Sequence, residues 1–192
     1  MRAIPDPTTY EQLADFSCGG SSDHEQHVDS AVEELLQLSS EDLADYKIRK
    51  VRVAEDSETD SLIGISVIQE KRLSESDDTF EHAAYLAVLA IDKSYRGWRM
   101  PDGATRIGTF LLGDALAEID CTWEQPMPYV WAVVHPENDH CRRLLNKQNF
   151  WPLHDINKDP SEYIVYLRDE SVDWSHGFGP HVIRSVLDAR GE

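Results

Sequence analysis

Positive charge is scarce in this sequence. Its 192 residues carry 18 Lys and Arg against 36 Asp and Glu, a formal net charge of −18 at pH 7. Nucleic-acid binding draws on cations set against phosphates, and an anionic membrane surface draws on the same cations. Neither partner is expected. A polyamine, an aminosugar or a basic protein tail suits such a surface better. Solubility or adaptation to salt would leave the same imprint.

Cysteine is also sparse. Cys18, Cys121 and Cys141 are odd in number and far apart, which speaks against a secreted disulfide framework. Cys18, His24 and His27 supply three metal-type side chains without an evident fourth, so no metal is expected. Long apolar runs are missing: none approaches the roughly 18 residues of a membrane span. The segment Met1 to Pro7 lacks the apolar run of a signal peptide. A cytoplasmic protein is expected. There are no internal repeats. With 41% hydrophobic residues, five Trp and five Phe, the chain can pack a core unaided. One domain over 1–192 is expected, with a polar arm at 1–27, a core at 48–168 and a tail at 169–192.

The elements follow from periodicity. Gly19-Gly20-Ser21-Ser22 reads as a loop. Val28, Val32, Leu35 and Leu36 share one face of a helix over 28–38. Residues 46–54 and 62–69, the latter with Gly64 inside it, read as a hairpin around the acidic turn 55–60. Residues 82–91 form a nearly unbroken apolar run, as in a strand buried on both faces. A helix over 105–119, a strand over 129–134, a helix over 136–148 and a strand over 163–167 complete the order. Strand, helix and strand in sequence imply a parallel pair with a right-handed crossover. The expected class is α/β (α+β), with a mixed, mostly antiparallel central sheet, a splayed parallel strand pair and flanking helices.

Ligands of such sheets gather where strands end and helices begin. That points to the stretch from Asp92 to Thr109. Arg96, Arg99 and Arg106 reverse the local sign of an acidic chain, and Gly108 allows close approach to the backbone. Free amides at the helix start suit a phosphate or pyrophosphate. A solvated loop before a tightly packed helix would look the same.

Two motifs separate these readings. Leu89-Ala90-Ile91-Asp92-Lys93-Ser94-Tyr95-Arg96-Gly97, then Arg106-Ile107-Gly108-Thr109-Phe110-Leu111-Leu112, resembles the acetyl-CoA motif of the Gcn5-related N-acetyltransferase (GNAT) superfamily. Asn138-x-x-Cys141-x-x-Leu144-Leu145-x-x-x-Asn149-Phe150 resembles that family's second signature. The resemblance covers residues 48–168. It implies the acyl-CoA N-acyltransferase fold and transfer from acetyl-CoA to an amine, possibly a cationic one given the acidic loops 55–60 and 75–81. Pantetheine would pair with the backbone at Leu89, Ala90 and Ile91. The pyrophosphate would sit near Arg96, Gly97, Arg106, Ile107, Gly108 and Thr109, and Asn138 would help hold the pantetheine arm.

The sequence also departs from the family pattern. Residues between Gly97 and Arg106 are inserted and should bulge at Pro101-Asp102-Gly103. Arg106 stands where the family has Gly. Leu145 stands where many members have the Tyr that protonates the thiolate. Asn149 replaces a Gly, at a position where Asn tolerates left-handed angles. Phe16-Ser17-Cys18-Gly19 resembles the opening of toxin-type acetyltransferases that act on aminoacyl-tRNA, a substrate the acidity of the chain speaks against.

Tyr85, by register from Ile91, falls near where relatives carry a catalytic carboxylate, and His135 ends the next buried strand. These two are the candidate catalytic residues. A core aromatic and a turn residue before Pro136 are the plainer readings of each. His82 and Glu81 read as a strand edge and a loop charge. Cys141 lies on an apolar helical stripe and reads as core. Trp98 could stack on adenine or cover the insert. A CoA-binding sensor without turnover is the alternative to an enzyme, and an interaction protein with an acidic face is a third reading. A homodimer stays open.

Overall fold

Alternating β-branched residues fix the first half of the chain. In the computed structural model, which describes residues 2–3, 16–20, 22–37, 48–56, 58–70, 83–122, 129–152 and 163–169, they build strands packed between two helices. The chain forms two units, residues 1–69 with 86–119 and residues 70–85 with 120–192. Among the described residues no helix is long and apolar enough to cross a membrane. The tail beyond Asp169, the acidic loop 75–81, Glu81 and His82 lie outside the described residues.

In the first unit, β1 (Arg2–Ala3), β2 (Ile48–Glu55), β3 (Leu62–Glu70) and the end of β4 (Ala84–Ile91) are neighbours in that order. β1 and β2 pair antiparallel, as do β2 and β3, with Val53 opposite Ile65 and Ala54 opposite Gly64. The Asp92 amide donates to the Ile63 carbonyl at 2.9 Å, so the end of β4 meets the start of β3. Helix α1 (Asp23–Gln37) brings Val32 and Leu35 against Phe16, Cys18, Val53, Leu62, Ile65, Val67 and Ala90. Helix α2 (Ile107–Thr122) brings Ile107 and Leu111 against Ala54, Ile63, Leu89 and Ile91. β4 is less buried than its apolar run predicts: Ala90 is buried, while Ala87, Val88, Leu89 and Ile91 are only half-buried.

A charge cluster ties β2 to α2. Arg52 makes both guanidinium contacts to Asp114, Nε at 2.5 Å and Nη2 at 3.0 Å, and its Nη1 reaches Glu118. Lys50 adds a 3.3 Å contact to Glu118. The Arg52 side chain is 14% exposed, so these bonds satisfy a largely desolvated cation.

In the second unit, β5 (Tyr129–Val134) pairs antiparallel with β7 (Ile164–Asp169), and β7 pairs antiparallel with β6 (Trp151–Pro152). Ala83, Tyr129, Trp131, Val165 and Leu167 form one cluster with Tyr85, Val133 and Trp151. Helix α3 (Asp139–Lys147) buries Leu145 completely. Its C-terminus closes as a Schellman motif: the Phe150 amide donates to the Leu145 carbonyl at 3.1 Å and the Asn149 amide to Asn146 at 3.3 Å. Asn149 sits at φ 61, the left-handed region expected of it.

Helix starts differ from the sequence expectation. α1 begins at Asp23, because the Ser22 carbonyl accepts from the amides of Glu25 and Gln26, the spacing of a capping box. α2 begins at Ile107 because Thr105 and Arg106 belong to a hairpin. α3 begins at Asp139 because residues 135–138 form a turn, with the Asn138 amide on the His135 carbonyl at 2.9 Å.

Gly64 is required by proximity. A Cβ there would meet Leu111 Cδ1 at 2.5 Å and the Ala90 carbonyl oxygen at 2.7 Å. Gly64→Ala should therefore force apart β3, β4 and α2, at about 1–3 kcal/mol. A thermal melt followed by circular dichroism should fall by several degrees; an unchanged midpoint would rule out that close approach.

Candidate functional site

The stretch after β4 is anchored by Asp92. The residue is 8% exposed. One oxygen accepts the Ser94 amide at 2.8 Å and the other the Ser17 amide at 3.1 Å. The Lys93 amide returns a bond to the Ser17 carbonyl at 3.0 Å. A 3₁₀ turn, Lys93–Tyr95, follows. The Tyr95 hydroxyl then donates to Asp56 at 3.1 Å, joining this loop to the β2–β3 turn. The Glu58 amide, and then this hydroxyl, hold the Asp56 carboxyl below its ordinary range.

The expected bulge is a small β-hairpin. The Ile107 amide donates to the Trp98 carbonyl at 3.3 Å and the Met100 amide to the Thr105 carbonyl at 2.7 Å, with Arg99 bridged to Arg106. The tip turns at Pro101-Asp102-Gly103, and Gly103 takes φ 70. Asp102 accepts the Ala104 and Thr105 amides, both at 2.9 Å, and the Thr105 hydroxyl at 2.8 Å. These bonds hold its carboxyl below the usual range, the Thr105 amide contributing most. Trp98 stands 58% exposed, its ring edge-on to Tyr95 at 5.4 Å.

The three arginines of this stretch have different fates. Arg96, which follows the turn before Gly97 (φ 81), pairs with Glu25 of α1 at 2.5 Å and lies against the Cys18 thiol. Arg99 donates to the carbonyls of Gly103 at 3.1 Å and Ala104 at 2.8 Å, fastening the hairpin tip. Arg106 is exposed and makes no ion pair among the described residues. Directly after it, the first helical bond is from the Phe110 amide to the Arg106 carbonyl at 3.0 Å. The amides of Gly108 and Thr109 have no acceptor among the described residues. Ile107 is buried and anchors the helix start in the core. An exposed guanidinium and two outward amides at a helix N-terminus are the donor set a pyrophosphate requires.

The second unit holds the remaining candidates. Tyr85 stacks on Trp131, with ring centroids 4.2 Å apart at 27°. Burial pushes its phenol pKa up, and Tyr163 adds to the shift, so it is protonated at neutral pH and cannot serve as a base there. His135 meets Tyr163 edge to face at 5.6 Å, and its Nδ1 accepts the Glu137 amide at 3.2 Å. Tyr163 thus neighbours both predicted catalytic residues. Sequence reading missed it, although its place opposite His135 follows once Val134 is paired with Ile164. Asn138 caps α3 through Oδ1, which accepts the Cys141 amide at 3.1 Å, and its carboxamide nitrogen has no partner among the described residues. Burial pushes the Cys141 thiol up to about 11, and burial with nearby Asp29 pushes Cys18 up to about 12. Neither is a thiolate nucleophile at neutral pH.

No protein-family model matches the sequence, and no curated protein matches it. Similarity emerges in three dimensions. The chain is similar to a Desulfovibrio desulfuricans protein assigned to the GNAT family of acetyltransferases, at 15% identity and TM-score 0.56 over 88% of this chain and 96% of that one. It is similar to the histone acetyltransferase HPA2 and related acetyltransferase of Corynebacterium glutamicum, at 16% identity and TM-score 0.58 over 88% and 97%. It is also similar to a bacterial toxin, at 13% identity and TM-score 0.60 over 98% and 93%. At these identities what is shared is the fold. The chain has the acyl-CoA N-acyltransferase fold of these acetyltransferases, a mixed α/β arrangement with mostly antiparallel strand pairing and, among the described residues, three helices.

Two predictions follow from this chemistry. Glu25 is lowered from 4.5 to about 2, chiefly by the Ser22 hydroxyl and then by Arg96. A depressed carboxyl adds stability above its unfolded pKa and loses it as pH falls towards its folded one. Unfolding midpoints measured from pH 5 down to 3 should therefore drop less steeply in Glu25→Gln than in the wild type; parallel curves would remove the Arg96 pair as an acid-sensitive contact. Separately, iodoacetamide at pH 8 should label exposed Cys121 first in the folded chain, half-buried Cys141 more slowly, and buried Cys18 only on unfolding. Peptide mass mapping reads the order, and early labelling of Cys18 would contradict its burial.

Proposed function

We propose that this chain, folded as the GNAT acetyltransferases are, transfers the acetyl group of acetyl-CoA to a primary amine of a small molecule or protein. The reading is carried by the start of α2, where exposed Arg106 and the outward amides of Gly108 and Thr109 stand together. These groups would hold the donor's pyrophosphate. The backbone at Leu89, Ala90 and Ile91 would pair with the pantetheine arm as an added strand does. Arg96 and Gly97 would shape the loop around the phosphates.

In the ternary complex the amine nitrogen attacks the thioester carbonyl carbon directly. A C–N bond forms, the C–S bond breaks, the nitrogen loses a proton and the sulfur leaves as a thiolate. The thiol's ordinary pKa near 8.5 makes that departure feasible without a strong acid. The net charge of −18 favours a cationic acceptor, which would be drawn to the surface as an ammonium and react after losing a proton.

A CoA-binding sensor without turnover is the second reading. Two observations favour it: Leu145 is fully buried where many relatives carry an acid, and Arg96 is engaged by Glu25.

Thermal-shift titration of the full chain with acetyl-CoA, CoA and ATP tests both. Ligand at a hundredfold excess over Kd should stabilise by about 2.7 kcal/mol. Arg106→Ala should raise the Kd for acetyl-CoA about tenfold, the loss of one charge-assisted contact. Thiol release with an amine panel would establish the transferase; stabilisation without release would establish the sensor. No stabilisation at millimolar acetyl-CoA would overturn both.

A further inference from the structure

We infer that the inserted hairpin reads the far end of the donor: Arg99 and Arg106, set side by side on one of its faces, hold the phosphate monoester on the ribose of coenzyme A. This rests on the acetyl-CoA reading above and adds a selecting contact beyond the pyrophosphate.

The register brings the two arginines together. The Ile107 amide bonds to the Trp98 carbonyl at 3.3 Å and the Met100 amide to the Thr105 carbonyl at 2.7 Å. Arg99 and Arg106 lie directly opposite each other between these two rungs. Residues so placed carry their side chains on the same face, at the closest approach antiparallel strands allow. Like charges in that position repel. Both arginines are exposed, while Ile107, the next residue along, is buried.

The hairpin offsets this charge only weakly. Its one carboxylate, Asp102, is taken up by the Ala104 and Thr105 amides and the Thr105 hydroxyl. Arg99 lies within its field but forms no ion pair with it among the described residues. Arg99 gives Nη1 to the carbonyls of Gly103 and Ala104, which fixes its guanidinium on the hairpin. Its Nε and Nη2 have no acceptor among the described residues, and Arg106 has none for any of its N–H groups. In a chain of 36 acidic and 18 basic residues, two cations held opposite each other call for an anion from outside.

The donor identifies that anion. Coenzyme A carries its pyrophosphate, assigned above to the start of α2, and one further phosphate, a monoester on the ribose. The monoester bears roughly −1.5 to −2 charges at neutral pH. Its oxygens match paired guanidinium forks. Arg106 stands two residues before Gly108, so its side chain borders both phosphate groups. Arg99 is then specific for the second.

Equilibrium titration of the full chain with CoA and with dephospho-CoA, which lacks only that phosphate, tests the pair. Wild type should bind CoA about tenfold more tightly, the worth of an exposed charge-assisted contact. Arg99→Gln, whose carboxamide can still donate to the tip carbonyls, should cut that ratio to about threefold, and Gln at both positions should bring it to about one. The ratio compares two ligands on one variant, so a general loosening of the hairpin leaves it unmoved. A ratio near unity in the wild type, or a wild-type ratio that persists in Arg99→Gln, would overturn the inference and leave the acetyl-CoA reading in place. Binding of neither ligand would remove that reading and the inference with it.

Discussion

One buried carboxylate organises the first unit. Asp92 ends β4 and accepts two amides, Ser94 ahead of it and Ser17 from a distant segment. An ionised carboxylate taken out of water is stable only when its lone pairs are met, and two backbone donors meet them here. Its own amide lies on β3 through Ile63, so a single residue sets three pieces of chain at fixed positions. Everything that follows, from the 3₁₀ turn through the hairpin to the start of α2, hangs from that point. The hairpin is then tightened by its own contacts: Asp102 caps its tip and Arg99 fastens it.

Cations are few in this chain, and their use is correspondingly telling. Arg52 is held by Asp114 and Glu118 in the packing of β2 on α2. Arg96 binds Glu25, and Arg99 binds carbonyl oxygens. In an acidic protein any loosely held cation meets a surplus of carboxylates, so one kept in solvent beside unpaired amides stands out. Arg106 is that residue, and a helix N-terminus concentrates partial positive charge at the same spot. The sequence treats Arg96, Arg99 and Arg106 alike; only the partners tell them apart.

Much of the fold was legible because periodicity reports burial. The strand over 129–134 was read to the residue, and β3 within one. The left-handed angle at Asn149 was legible too, since few other residues tolerate it. What was missed depends on contacts between distant residues. The hairpin read as an irregular bulge because its rungs are backbone bonds, which side-chain patterns do not encode. The engagement of Arg96 needs the fold of α1 to bring Glu25 near. Tyr163 was passed over because a lone aromatic at the start of a strand carries no motif, and its meaning comes only from the β5–β7 register that sets it opposite His135. The capping-box spacing of Ser22 and Glu25 was a legible signal that would have moved the start of α1 to its true place.

Backbone amides have opposite fates in the two units. At the start of α2 the geometry of a helix leaves the amides of Gly108 and Thr109 without acceptors among the described residues. In the turn after β5 the reverse holds: an amide that would otherwise be idle finds His135 Nδ1 as its acceptor.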